Sequence, residues 1–271
     1  MQARKPSGDM TRVTIVVPCY NEAHRLPRQT FLDFIVASDG VTFVFVDDGS
    51  QDATLTALEE ISRAHPNRVH VLRQERNAGK GEAVRQGLLH ALRRNESDLI
   101  GFWDADLATP LDAVFDLRQV LIDRPDIQMV FGSRVRLLGR EVQRRAIRHY
   151  LGRVFATVVS VLLRLPIYDT QCGAKLFRVT PELQRVLGDP FCSRWVFDVE
   201  LLARFIQLHK GNVEVVRRAV YEYPLHVWND VAGSKVRPTD FLRAFRDVMK
   251  INRRYLTSAN REWPHRSSTE D

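Results

Sequence analysis

Asp104-Ala105-Asp106 sets two carboxylates at i and i+2 with only a methyl side chain between them. At the end of a strand such a pair can point into one space. Mg²⁺ and Mn²⁺ suit it, because these hard cations take one or two carboxylates and complete an octahedron with water and substrate phosphates. The same residues also make an ordinary solvated strand-to-loop turn. Two further polar clusters lie upstream. In Asp47-Asp48-Gly49-Ser50, turn chemistry and helix capping account for the glycine and one acid. They leave a second carboxylate, which can accept from an imide N–H such as that of uracil. Pro18-Cys19-Tyr20-Asn21-Glu22 reads either as a strand terminator with a helix cap or as a base-binding segment. In the second reading Tyr20 stacks on the base and Glu22 accepts hydrogen bonds from ribose or base.

Each cluster needs an element to deliver it. Val13–Val17 is a β-branched run stopped by Pro18, as a buried parallel strand would be. Val41–Val46 runs into Asp47, and Leu99–Trp103 runs into Asp104. Val69–Leu72 and Met129–Gly132 read as further strands, with helical spacing over Thr54–Ala64, Glu82–Arg94 and from Pro110 and Asp112 onward. Alternating strands and helices imply an α/β fold, a mostly parallel sheet covered on both faces, in which ligands sit at the carboxyl ends of the strands. The three acidic segments then converge on one crevice. The second half predicts one long helix over 141–165, a helix over Asp198–Leu208, a strand over Asn212–Val220 and an amphipathic helix over 240–256. Residues 1–10 read as a flexible leader, 11–257 as a single domain and 258–271 as a polar tail.

The bulk composition narrows the partners. Of 271 residues, 40 are Lys or Arg and 33 Asp or Glu, leaving a formal charge of +7, with a sequence pI near 9.6. That balance suits an anionic partner: a diphosphate, a membrane headgroup or nucleic acid. Three widely spaced cysteines make neither a disulfide framework nor a zinc site, and fit a reducing compartment. The leader lacks the apolar run of a secretory signal. The longest uncharged apolar stretch, Val154–Leu163, is shorter than the roughly 20 residues a spanning helix needs. The expectation is a cytoplasmic protein, peripheral at the inner face of a membrane, without a transmembrane segment.

Lys80, in Asn77-Ala78-Gly79-Lys80-Gly81, lacks P-loop spacing. It reads as a helix start whose free N–H groups and ammonium approach a diphosphate, or as a plain solvated cap. Seven arginines between Arg134 and Arg153 read first as a solvated face. They lead into the apolar stretch, however, so 141–165, aided by 240–256, suits a membrane-facing helix on anionic lipid, and Arg134 follows a strand end where it can grip a phosphate. The basic residues coincide with apolar helix faces, and no helix-turn-helix, zinc-knuckle or RNA-recognition motif accompanies them, so nucleic acid is set aside. Asp169, Asp198 and Glu200 read equally as structural or functional, with burial as the deciding variable.

Together these segments resemble the inverting glycosyltransferases of family 2, which have the GT-A fold. The matching motifs are VVPCYNE (Val16–Glu22), VDDGSQDAT (Val46–Thr54), NAGKGEAVRQGL (Asn77–Leu88) and DADLATP (Asp104–Pro110). YDTQCGAKLF (Tyr168–Phe177), RWVFDVELL (Arg194–Leu202) and GSK (Gly233–Lys235) resemble the dolichyl-phosphate glucosyltransferase branch more narrowly. Related sequences usually have an aromatic residue where this chain has Ala174, which implies a wider pocket. By this resemblance Pro18, Tyr20, Glu22 and Asp48 hold the nucleoside of a UDP-sugar, with Lys80 and Asp104 at its diphosphate. Asp104 and Asp106 hold Mg²⁺ or Mn²⁺, while Arg134, Lys175 and Lys235 position the phosphate of a lipid acceptor. Asp106, Arg134 and Asp198 serve the reaction itself, Asp198 chiefly by orienting the cations. The alternatives are a GDP-mannose donor or a soluble acceptor on the same fold. More remote are a sugar-nucleotide pyrophosphorylase, which needs a Gly-rich, Arg-containing loop after the first strand, and a non-catalytic basic membrane- or nucleic-acid-binding protein. The oligomeric state is not readable.

Overall fold

A computed structural model describes residues 11–142, 146–230 and 238–257, with 146–151 and 238–241 as backbone only. The leader, the tail and Lys235 lie outside the described residues. In chain order the elements are β1 (Val13–Cys19), α1 (Arg28–Ala37), β2 (Val41–Asp47), α2 (Thr54–Ala64), β3 (Val69–Arg73), α3 (Lys80–Arg94), β4 (Leu99–Trp103), α4 (Ala113–Asp123) and β5 (Met129–Ser133). Then come β6 (Glu141–Val142), α5 (Ala146–Leu163), β7 (Ala174–Arg178), α6 (Pro181–Val186), α7 (Phe197–Leu208), α8 (Val213–Ala219), β8 (Val220–Pro224), β9 (Val227–Trp228), α9 (Pro238–Ile251) and a π-helical turn (Asn252–Leu256).

Among the described residues one sheet has seven strands in the order β3-β2-β1-β4-β7-β5-β8. Every pairing is parallel except those of β7, which runs antiparallel between β4 and β5. The unbroken apolar runs of β1 and β2 follow from burial on both faces. Val13, Ile15 and Val17, with Val41, Phe43 and Phe45, face α1, α2 and α4. Val16, Val44 and Val46 face the opposite way, into a core shared with α3, α5, α7 and the π-helical turn. With both faces covered, the carboxyl ends of β1, β2 and β4 are the places where the sheet can meet a ligand.

Two expectations fail in the second half. The helix expected over 141–165 begins at Ala146, because Glu141 and Val142 pair with Val227 and Trp228 in a small parallel ladder. The strand expected over Asn212–Val220 is mostly the helix α8. Of its three valines only Val216 is buried, with Ala219 three positions on, so the buried face has helical spacing. The strand proper starts at Val220 and pairs along β5.

Candidate active site

The three polar clusters do meet at the ends of β1, β2 and β4. β1 and β2 run in parallel register, bringing Cys19 beside Asp47. Beyond them the two loops interlock: Asn21 N–H donates to Ser50 Oγ at 3.0 Å, and Glu22 N–H to Thr54 Oγ1 at 2.8 Å. Asp47 accepts from Ser50 N–H and so closes the turn at Gly49, whose φ of +67° favours glycine.

Asp48 is only 2% exposed. Its carboxylate accepts from the backbone N–H groups of Ala78 and Gly79, at 2.7 and 2.9 Å. Burial pushes its pKa up, against those two hydrogen bonds and the charge of Arg194. Asp48 thereby ties the end of β2 to the loop that opens α3. Gly79 turns that loop at φ +97°, and Arg194, bonded to the Asn77 side chain and carbonyl, lies over it. The first residue of α3 is Lys80, whose ammonium points at Asp104 Oδ1, 2.5 Å away.

Asp104 is fixed at the β4 end, where its N–H donates to the Gly173 carbonyl at 2.9 Å. A Cβ on Gly173 would collide with the Asp104 carboxylate, so only glycine leaves that acid its place. Asp106 accepts from Ala108 N–H at 3.1 Å and faces Arg25 at 3.7 Å, which also reaches Glu22 at 3.6 Å. Burial first, and then the charge of Asp104, raise the pKa of Asp106. Two carboxylates that repel each other in a partly desolvated space are what a divalent cation relieves. Among the described residues no group of three or more His, Cys, Asp or Glu side chains is placed to hold a metal. Two carboxylates with phosphate oxygens and water are nevertheless a donor set that Mg²⁺ and Mn²⁺ use, so the residues present fit the ion.

A second layer lies beneath. Lys175 has no exposed surface, and its ammonium sits 2.7 Å from Asp198 Oδ1 and 2.5 Å from the Cys172 carbonyl, over the rings of Phe102 and Phe131. The direct grip on an acceptor phosphate expected of Lys175 is incompatible with that burial. Asp198 is likewise buried, and desolvation raises its pKa against the charges of Lys175 and Lys80. It pairs with the Lys175 ammonium, and Glu200 belongs to a separate cluster with Arg204. Arg134 leaves β5 and is held by Asp169 through two parallel bonds of 2.7 Å. Asp169 is set in turn by Glu222, which accepts from the Tyr168 and Asp169 N–H groups, both at 2.7 Å. Pro18 and Tyr20 are half-buried at the β1 end.

Several participants were not singled out from the sequence. Arg25 stands three residues after Glu22, a spacing that could have flagged it. Arg194 and Gly173 fall inside the motifs RWVFDVELL and YDTQCGAKLF, but their contacts, like those of Glu222, are long-range and are not marked by local spacing.

The apolar part of α5 divides. Phe155, Val159 and Leu163 are core, while Val161 is 70% exposed. On α9 Leu242 is also 70% exposed, and Phe245, Arg246, Met249, Lys250, Arg253 and Arg254 line a groove. Arg153 stacks on the Tyr168 ring and is not a free cation. Among the described residues no helix is long and apolar enough to cross a membrane.

Comparison with known proteins gives one consistent outcome. The model of the family "Glycosyl transferase family 2" matches residues 14–183. A Drosophila melanogaster dolichyl-phosphate beta-glucosyltransferase is 34% identical over 263 residues, covering 91% of this chain and 76% of its own. Among solved structures, a glucosyl-3-phosphoglycerate synthase of Mycobacterium tuberculosis, in complex with Mn²⁺, UDP and glucosyl-3-phosphoglycerate, superposes with a TM-score of 0.58. It is 20% identical, over 92% of this chain and 78% of that one. A Pyrobaculum calidifontis mannosyltransferase in complex with GDP-Man and Mn²⁺ gives 0.54 at 21% identity, over 85% and 60%. The two share the GT-A fold with this chain.

Proposed function

The chain belongs to glycosyl transferase family 2, and on that premise we propose that it transfers a hexose, glucose, from UDP-glucose to a polyprenyl or dolichyl phosphate. The observation that carries this reading is the meeting of Asp104, Asp106 and Lys80 at one point, where β4 ends and α3 begins. A diphosphate there finds a cation on a helix N-terminus and two carboxylates able to share a metal with it. The relatives' substrate supports glucose and a lipid phosphate.

In the reaction an oxygen of the acceptor phosphate attacks the anomeric carbon. The bond from that carbon to the diphosphate oxygen breaks, configuration inverts and UDP departs. A phosphate monoester has its second pKa near ~6 and is largely ionised at neutral pH, so it needs little help from a general base. When bound, Mg²⁺ or Mn²⁺ supplies Lewis-acid stabilisation of the departing diphosphate. Lys80 adds charge to the same oxygens. Tyr20 and Glu22 flank the nucleoside, and Asp48 serves the pocket through the loop it fixes. Arg134, with two of its nitrogens held by Asp169, presents the third to the acceptor phosphate, together with Lys235.

The acceptor is delivered at a membrane surface. Exposed Leu242 and Met249 beside Arg246, Lys250, Arg253 and Arg254 support docking on anionic lipid, since each basic residue near such a surface contributes about 1 kcal/mol. The test is a donor screen in Mn²⁺ that follows label from UDP-glucose and GDP-mannose. The acceptors are polyprenyl phosphate in anionic vesicles and a soluble phosphate monoester. Label from UDP-glucose in the lipid fraction, reduced by salt, is expected. Transfer from GDP-mannose instead would change the donor, and transfer only to the soluble monoester would remove the lipid.

A further inference from the structure

Lys80 occupies an unfavourable place for a cation. The first turn of a helix carries partial positive charge, so an ammonium there weakens the helix. Two backbone restraints nevertheless pin its Cα: the Asp48 carboxylate holds the Gly79 N–H, and Gly81 N–H donates to the Arg194 carbonyl at 3.0 Å. Local helix stability does not explain the residue, and its partner does. The Lys80 ammonium lies 2.5 Å from Asp104 Oδ1, with both side chains about one-third exposed. Burial works against that charge, but Asp104, Asp198 and Asp106 together hold its pKa above the ordinary lysine value.

The two lysines of the site differ in freedom. Lys175 is enclosed and fixed by Asp198 and the Cys172 carbonyl. Lys80 has its chain partly in solvent, one ion-pair partner in contact and a second acid, Asp198, within electrostatic reach. Three carboxylates, Asp104, Asp106 and Asp198, therefore stand among three cations, Lys80, Lys175 and Arg25, the last of them shared with Glu22.

We propose that Lys80 is a built-in counter-ion, which neutralises Asp104 while the donor site is empty and turns from it to the donor's diphosphate when a divalent cation and nucleotide arrive together. This rests on reading Asp104 and Asp106 as the metal carboxylates. Its consequence is a coupling: the free ion competes with the ammonium and binds weakly, whereas the nucleotide draws the ammonium away and raises metal affinity. By linkage, the metal raises nucleotide affinity by the same factor.

The test is Mn²⁺ binding to the intact protein, measured by electron paramagnetic resonance of the free ion with and without UDP. The variants are Lys80→Met, Lys80→Gln as a second neutral replacement, and Lys80→Arg. Thermal melts confirm that each is folded. For Mn²⁺ alone, both neutral variants are expected to bind about fivefold tighter than the parent, the scale set by loss of a part-exposed ion pair. Their UDP-induced gain in Mn²⁺ affinity should shrink by at least the same factor, and Lys80→Arg should stay close to the parent. Equal Mn²⁺ affinity in parent and neutral variants, with the same UDP-induced gain, would overturn the counter-ion role while leaving the metal site standing. No Mn²⁺ binding by parent or variants, with or without UDP, would remove the metal site and this proposal together.

Discussion

Asp198 and Glu200 stand two residues apart on α7, both buried, and are partnered in different ways. Glu200 accepts from the Cys192 and Ser193 N–H groups, from Arg204 at 2.7 Å and from the Tyr255 hydroxyl at 2.9 Å. Arg204 spends its other donors on the carbonyls of Val186, Asp189 and Pro190. Every charge in that cluster is met by protein, and it binds α7 to the π-helical turn. Asp198 has the ammonium of Lys175 and a long contact of 3.5 Å from Gln171, and beyond it lie Lys80 and Asp104. Here the balance is charge against charge, with few hydrogen bonds, next to the part-exposed Lys80, Asp104 and Asp106. A saturated cluster stabilises a fold, whereas a cluster balanced only in net charge can exchange partners with a ligand.

Breaking the saturated cluster should give the largest effect. Glu200→Gln keeps the shape but leaves Arg204 buried without its counter-charge, a loss of about 3–5 kcal/mol. A chain of this length loses roughly 2–4 °C of Tm per kcal/mol, so scanning calorimetry should record a drop of roughly 6 °C or more. A Tm within about 2 °C of the parent would erase the contrast between the two clusters.

Asp106→Asn should do the reverse. Its raised pKa marks a carboxylate whose charge the fold does not favour, so neutralising it leaves the Tm unchanged or slightly higher. Turnover should fall about a hundredfold or more, as when one electrostatic partner of a departing group is removed. Full activity in that variant would take the metal out of the mechanism.

The contrast was only half legible in the sequence. β1, β2 and β4 could be read because a parallel strand buried on both faces needs an unbroken β-branched run, and each run visibly ends at a polar cluster. Asp104 and Asp106 could be named for the same reason, and Lys80 from its place at a helix start. β7 carries the antiparallel insertion that sets Gly173 against Asp104, and no local pattern announces a strand's neighbours. Lys175 is assigned to the acceptor phosphate by resemblance alone, and its burial could not be read because it depends on Asp198, 23 positions away in sequence. That Asp48 also accepts from Ala78 and Gly79 could not be read, since those N–H groups belong to a loop 30 residues on. The three valines near 215 imitate a strand, and only their solvation reveals the helix α8.

The β4 carboxylates are proposed as the seat of the donor's diphosphate and its metal. An anomalous difference map from crystals grown with Mn²⁺ and UDP tests that most directly. The predicted result is one strong peak within coordination distance of Asp104 and Asp106 and of the diphosphate, with the Lys80 ammonium moved off Asp104. A well-ordered UDP bound away from the β4 end, or a manganese peak that neither aspartate touches, would contradict it.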